Sequence, residues 1–153
     1  MKLEQSITIN ASVAVVERCI VDRDLMHCWL NSSLRCEPIG EWGTEVGDRS
    51  RFIVKFSPLP LVLENTVIER ELGLVVWEFQ GFFQGRDRWE CQETDEGTIL
   101  LNCFEFAIPN PFIRWGFRLF ALTWTQKDMK AQLQRLKRVA EGLEQHSPGK
   151  PDS

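Results

Sequence analysis

The sequence predicts an α+β fold: a curved antiparallel sheet of about seven strands, two short helices after the first strand, and a long C-terminal helix packed across the sheet. Three observations predict it. A short alternating segment opens the chain. From Leu34 to Ala107, short alternating runs are separated by Gly, Pro, Asn and Asp. From Pro111 to about Leu143, apolar residues recur every three or four positions, with Gly116 as a weak breaker.

The elements follow in order. Leu3, Gln5, Ile7 and Ile9 fall on one side of a strand over Leu3–Asn10. Ser12 is a suitable N-cap, and Val13, Val16, Cys19 and Ile20 follow at helical spacing. A second short helix runs from about Asp24 to about Leu30. Gly40, Gly43 and Gly47 mark a turn region. Phe52, Val54 and Phe56 then alternate with Arg51, Ile53 and Lys55, and SPLP at 57–60 breaks that strand. Strands follow over Leu61–Leu72 and Leu74–Phe82. Gln84-Gly85 reads as a turn, Arg86–Thr94 as a strand, Asp95-Glu96-Gly97 as a hairpin turn, and Thr98–Ala107 as the last strand. Short strands on short turns favour an antiparallel meander. Asn110 then suits an N-cap and Pro111 a first helical residue. The stripe Trp115, Leu119, Leu122, Gln126, Met129, Leu133, Leu136, Ala140 and Leu143 is expected to face the sheet. One domain over residues 1–145 is expected, followed by a disordered polar tail, 146–153.

Composition excludes some functions. The net charge is −4, whereas a general nucleic-acid surface is basic, so no nucleic-acid partner is expected. Six Trp and ten Phe accompany no Tyr. This supplies large apolar area without phenol hydroxyls, for a filled core or an aromatic-lined cavity. The five cysteines form no C-x-x-C pair, and His27 and His146 flank no cysteine cluster, so neither a metal site nor a cofactor is expected. The odd cysteine count and the lack of a signal peptide point to a reducing, cytoplasmic setting. No apolar run approaches the ~20 residues a spanning helix needs.

Several stretches carry a family resemblance. They are Ile7-Thr8-Ile9-Asn10-Ala11 with Val16, Asp22 and Trp29; LGLVVWEFQG at 72–81; Trp89–Thr98 with its Asp-Glu-Gly-Thr ending; and LQRLKRVAE at 133–141. Each is degenerate, but their order resembles the START-like superfamily, also called the SRPBCC, helix-grip or Bet v 1-like group, with its polyketide cyclase/dehydrase and lipid-transport members. The resemblance implies a cavity closed by the long helix and used to bind or carry hydrophobic molecules. In some members it implies cyclase, dehydratase or hydrolase chemistry. Fold alone does not choose among these. Relatives with a similar hairpin often carry a histidine where this chain has Asp87, and often a polar pair where it has Asn102 and Phe104.

Strand alternation then selects candidate ligand-binding residues. If Trp89 faces inward, so do Asp87 and Cys91. Asn102, Phe104 and Phe106 share a face, as do Trp77 and Phe79, and Phe52, Val54 and Phe56. The helix would add Trp115, Leu119, Leu122 and Gln126. Only Asp87, Asn102 and Gln126 are polar in this set. Amides orient ligands but do not transfer protons near neutrality. Asp87 is either a base whose pKa burial has raised, or a surface carboxylate between Arg86 and Arg88. Gln126 is either a polar cavity contact or a buried amide bonded to the sheet. No histidine falls on the presumed cavity face, and His27 reads as structural or exposed. No catalytic residue is identified, which favours binding over catalysis.

The segment Phe112–Trp124 is apolar on nearly every face except at Arg114 and Arg118. Phe117, Phe120 and Trp124 form a second stripe beside the sheet-facing one. With Phe82-Phe83 the segment reads as a thickened local core, or as a cavity mouth that meets a membrane or protein partner, with the arginines toward lipid phosphates. Three functions follow: a carrier of an apolar small molecule such as a lipid, quinone, isoprenoid or pigment; a cyclase or dehydratase with Asp87 as base; or an interaction module docking through Phe112–Trp124.

Overall fold

The computed structural model describes residues 1–55 and 61–146, leaving aside the side chains of Leu119 and Phe120. Seven strands form one antiparallel sheet: β1 (Lys2–Ile9), β2 (Leu34–Pro38), β3 (Arg49–Val54), β4 (Leu61–Glu71), β5 (Leu74–Gln80), β6 (Gln84–Thr94) and β7 (Gly97–Ala107). Their order is β1-β7-β6-β5-β4-β3-β2, so a six-strand meander is completed when β1 pairs with β7. Each meander strand pairs with its sequence neighbour, as short turns require.

Helices α1 (Val13–Val21) and α2 (Arg23–Trp29) follow β1. Ser12 Oγ accepts from the Val15 N–H at 3.4 Å. Asp22 Oδ1 caps α2 by accepting from Asp24 and Leu25, so α2 begins a residue before the expected Asp24. The α1 face of Val16, Cys19 and Ile20 is buried with Ile9, Trp29, Val67, Trp89, Leu100, Leu133, Leu136 and Ala140 in the main core. A second cluster of Leu3, Phe79, Phe106 and Ile108 lies toward the other end, with Phe83, Phe117, Leu122 and Met129 packed on it.

Three local features position the site. In the β4–β5 turn Gly73 has φ +76, and its N–H donates to the Glu17 carboxylate. That carboxylate also pairs with Arg70 at 2.8 Å, fastening α1 to the hairpin. Gln84-Gly85 is not a turn. The reversal lies at residues 81–83, and Gly85 is already paired in β6, where a Cβ would collide with the Glu105 carbonyl. This glycine permits close approach within the sheet, a role that turn chemistry alone does not reveal.

The C-terminal helix is not regular. Asn110 Oδ1 accepts from Phe112 and Ile113 to cap α3 (Pro111–Gly116), a π turn occupies Phe117–Ala121, and α4 runs Leu122–Gln145. Leu133, Leu136 and Ala140 face the core as expected. The expected stripe fails further forward: Trp115 is 70 % exposed, and Gln126 is exposed, with only its backbone carbonyl bonded, to Gln5 Nε2. A π turn holds one residue more than an α turn, so a regular α period cannot phase both halves together. Phe56, and the tail beyond His146, lie outside the described residues.

Candidate functional site

Between the sheet and the helices lies a cavity of about 760 Å³, within the size range of small-molecule sites. Its floor is built by alternation, with each strand offering every second side chain. Phe52 and Val54 come from β3, Leu63 and Asn65 from β4, Trp77 and Phe79 from β5, Asp87 and Trp89 from β6, and Asn102 and Phe104 from β7. Met26 and Trp29 of α2 close one side. Ile113, Phe117, Trp124, Asp128 and Gln132 form the roof.

Trp29 is locked at both ends. Its Nε1–H donates to the Cys19 carbonyl at 2.8 Å, and its ring tilts against Trp89 at 5.3 Å. Phe79 stacks on Phe104 at 5.1 Å, and Phe117 meets Phe83 and Phe106 edge-on at 5.2 and 5.4 Å. Such pairs stabilise the walls beyond their buried area.

Asp87 faces this interior. Oδ2 accepts from Trp89 Nε1 at 2.9 Å and Oδ1 from Asn102 Nδ2 at 2.7 Å. Asn102 also donates to the Arg88 carbonyl at 3.2 Å and is itself buried, so the group is held from two strands. Arg86 and Arg88 point to the opposite face of the sheet, beside Glu78 and beside Glu69 and Glu90. Neither neutralises Asp87. Desolvation pushes its pKa up to about 6, although the Trp89 and Asn102 hydrogen bonds pull the other way. Asp87 is intermediate in exposure, and its open side is the cavity it lines.

A second polar group sits in the roof. Asp128 Oδ1 accepts from Asn31 Nδ2 at 2.7 Å, and Oδ2 accepts from Gln132 Nε2 at 2.8 Å.

Of the expected residues, Phe52, Val54, Trp77, Phe79, Asp87, Trp89, Asn102 and Phe104 line the cavity. Phe106 lies beneath it, in the second core cluster. Leu122 packs on that cluster too, and neither Trp115 nor Gln126 reaches the cavity. Phe56 and the Leu119 side chain lie outside what is described. Asn65, Ser50, Asp128 and Gln132 were missed. The first two carry a readable signal, since each is a polar residue in the apolar phase of its strand.

Three of the cysteines and His27 are held in unreactive settings. Burial pushes the thiols of Cys19 and Cys36 up to about 11 and that of Cys91 to about 12, so they stay protonated. His27 is structural: Nδ1 faces the Arg23 carbonyl at 2.9 Å, and Nε2 accepts from the Cys36 N–H at 3.2 Å. Among the described residues no group of three or more His, Cys, Asp or Glu could hold a metal ion, and no helix is long and apolar enough to cross a membrane.

A sheet gripped by a terminal helix around an apolar cavity defines the helix-grip class. Residues 1–141 match the family described as polyketide cyclase/dehydrase and lipid transport, and the chain belongs to that family. No curated protein matches it. Solved structures of similar fold include TTHA0849 from Thermus thermophilus, at 17% identity and TM-score 0.69, covering 93% of this chain and 98% of that one. They also include an AHSA1-like protein from Aeromonas hydrophila, at 15% identity and TM-score 0.68, with both chains covered in full, 100%. At these identities the likeness concerns fold alone.

Proposed function

We propose that this protein binds or carries a hydrophobic small molecule between the sheet and the C-terminal helix. The aromatic cavity of about 760 Å³ carries the reading. Burial in a preformed apolar site supplies the affinity, while a few fixed polar groups set orientation. Phe52, Val54, Trp77, Phe79, Trp89 and Phe104 provide the walls, and Asp87 and Asn102 the polar anchor. Ile113 and Trp124 both line the cavity and are exposed, so the mouth opens beside α3. There Phe112 is 87 % exposed, next to exposed Trp115, Arg114 and Arg118. Apolar side chains flanked by arginines support contact with an anionic membrane surface from which a ligand is collected. Solvent extraction of the purified protein with mass spectrometry tests the reading. A stoichiometric apolar ligand is expected; an empty protein that also binds no lipid or quinone probe would overturn it.

One observation favours a second reading, a cyclase- or dehydratase-type enzyme. Asp87, with a pKa raised to about 6 and two oriented donors, has the properties of a general base. On that reading Asp87→Asn abolishes turnover but retains binding, and an unchanged rate removes it.

A further inference from the structure

The cavity has an electrostatic character that its apolar walls conceal. Asp87 faces it from the floor and Asp128 from the roof. Each carboxylate is held by neutral donors alone: Trp89 and Asn102 for the first, Asn31 and Gln132 for the second. Among the described residues lining the cavity there is no Lys, Arg or His. An anion entering would be buried beside two carboxylates with no positive charge to offset them. A cation would be attracted by both and by the faces of Trp29, Trp77 and Trp89.

Independently, the cavity has a polar group awaiting a partner. Asn65 is 6 % exposed and lies on the floor between Ser50 and Phe79. Its side-chain amide has no hydrogen-bond partner among the described residues. A buried amide needs such a partner, and the open side is the cavity.

We propose that the ligand of this cavity, taking the binding function above as given, is an apolar amine: a ring or chain body whose protonated nitrogen donates to Asp87 beside the tryptophans. A second polar group of the ligand, a hydroxyl or carbonyl, meets Asn65. The same geometry rejects carboxylates and phosphates of equal size, so free fatty acids are poor ligands. Specificity therefore comes from repulsion as much as attraction.

The test uses three probes of one shape: a naphthyl ethylamine, the matching naphthyl ethanol and the naphthyl acetate anion. Each is titrated into the full chain by calorimetry at neutral pH, and the amine is also titrated in competition with the alcohol to show a shared site. The expected order is amine, then alcohol, then carboxylate, with the amine about tenfold or more tighter than the carboxylate. In Asp87→Asn, checked for folding by circular dichroism, the amine-to-carboxylate ratio falls to within about threefold of unity. Asp128→Asn lowers it in the same direction but less, because that carboxylate lies in the roof. If the alcohol binds and the amine binds no tighter than the carboxylate, the charge selectivity is wrong while the binding function stands. If none of the three probes binds, the amine proposal is overturned, and the binding function is decided separately by the extraction and the lipid and quinone probes above. Amine binding that the alcohol does not compete with would place the amine on the acidic surface and overturn the proposal.

Discussion

Ionising Asp87 opposes folding, and the effect can be measured. Its carboxyl has an ordinary value of 3.8, raised to about 6 in the folded protein. The sign follows from proton binding. Between these values the native state holds a proton that the unfolded chain has released, so stability falls as pH rises. Below 3.8 both states are protonated and there is no penalty; above about 6 it is complete. Roughly two pH units at about 1.4 kcal/mol each give a penalty on the order of 3 kcal/mol. Asp87→Asn does not titrate, and any lost hydrogen bond adds a constant offset independent of pH. Urea unfolding of both proteins, at steps from about pH 4 to 7.5, isolates this penalty, because the other carboxylates cancel in the difference. The stability of Asp87→Asn relative to wild type should climb across this range by a few kcal/mol and level off above about pH 7. A flat difference curve would show that Asp87 is hydrated as at a surface, and would remove both its placement in a dry site and its suitability as a base.

Two further outcomes are expected. Glu17→Ala leaves the Arg70 guanidinium half-buried without its 2.8 Å partner and frees the Gly73 N–H; urea melts should show a loss of about 3 kcal/mol with an unchanged denaturant slope, and a loss below about 1 kcal/mol would show that this pair does not fasten α1. Replacing Phe112 and Trp115 together by serine should leave stability within about 0.5 kcal/mol, since both are exposed. Co-sedimentation with phosphatidylserine-containing vesicles should nevertheless fall about tenfold, and unchanged partitioning would count against membrane contact.

The sheet was legible because its signals are local. Phe52 and Val54 alternate with Arg51 and Ile53, and Asp95-Glu96 before Gly97 gives a hairpin whose register closes at Thr94 and Gly97. Alternation from Trp89 also predicts the inward direction of Asp87, even though flanking arginines argue for the surface. Asn65 and Ser50 were equally readable, since each falls in phase with apolar neighbours, but a polar residue at such a position does not itself announce a cavity. Asp128 and Gln132 were not readable. Their position depends on the phase of a helix whose irregularity lies in Phe117–Ala121, where no Pro marks it and Gly116 is only adjacent. The local sequence is compatible with an unbroken α-helix; the packing of Phe117 against Phe83 and Phe106 accompanies the extra residue.

That extra residue leads to an unusual expectation. In a regular α-helix Ile113 and Gln132 would be rotated by about 100° from a common face. The π turn absorbs one residue, and Ile113, Phe117, Ala121, Trp124, Asp128 and Gln132 all line the cavity. Deleting one residue from a helix usually rotates everything beyond it by ~100° and separates its buried contacts. Deleting exposed Arg118, within the π turn, should instead yield a regular helix in which both halves keep their faces. Stability should change by no more than about 1 kcal/mol, and binding of the naphthyl alcohol should persist. Deleting exposed Gln134 has no such relief. It sets Leu133 out of phase with Leu136 and Ala140, all three buried in the main core, and several kcal/mol should be lost. Urea melts of the two deletions make the comparison. Equal damage from both would mean that the π turn is not what aligns the roof with the floor.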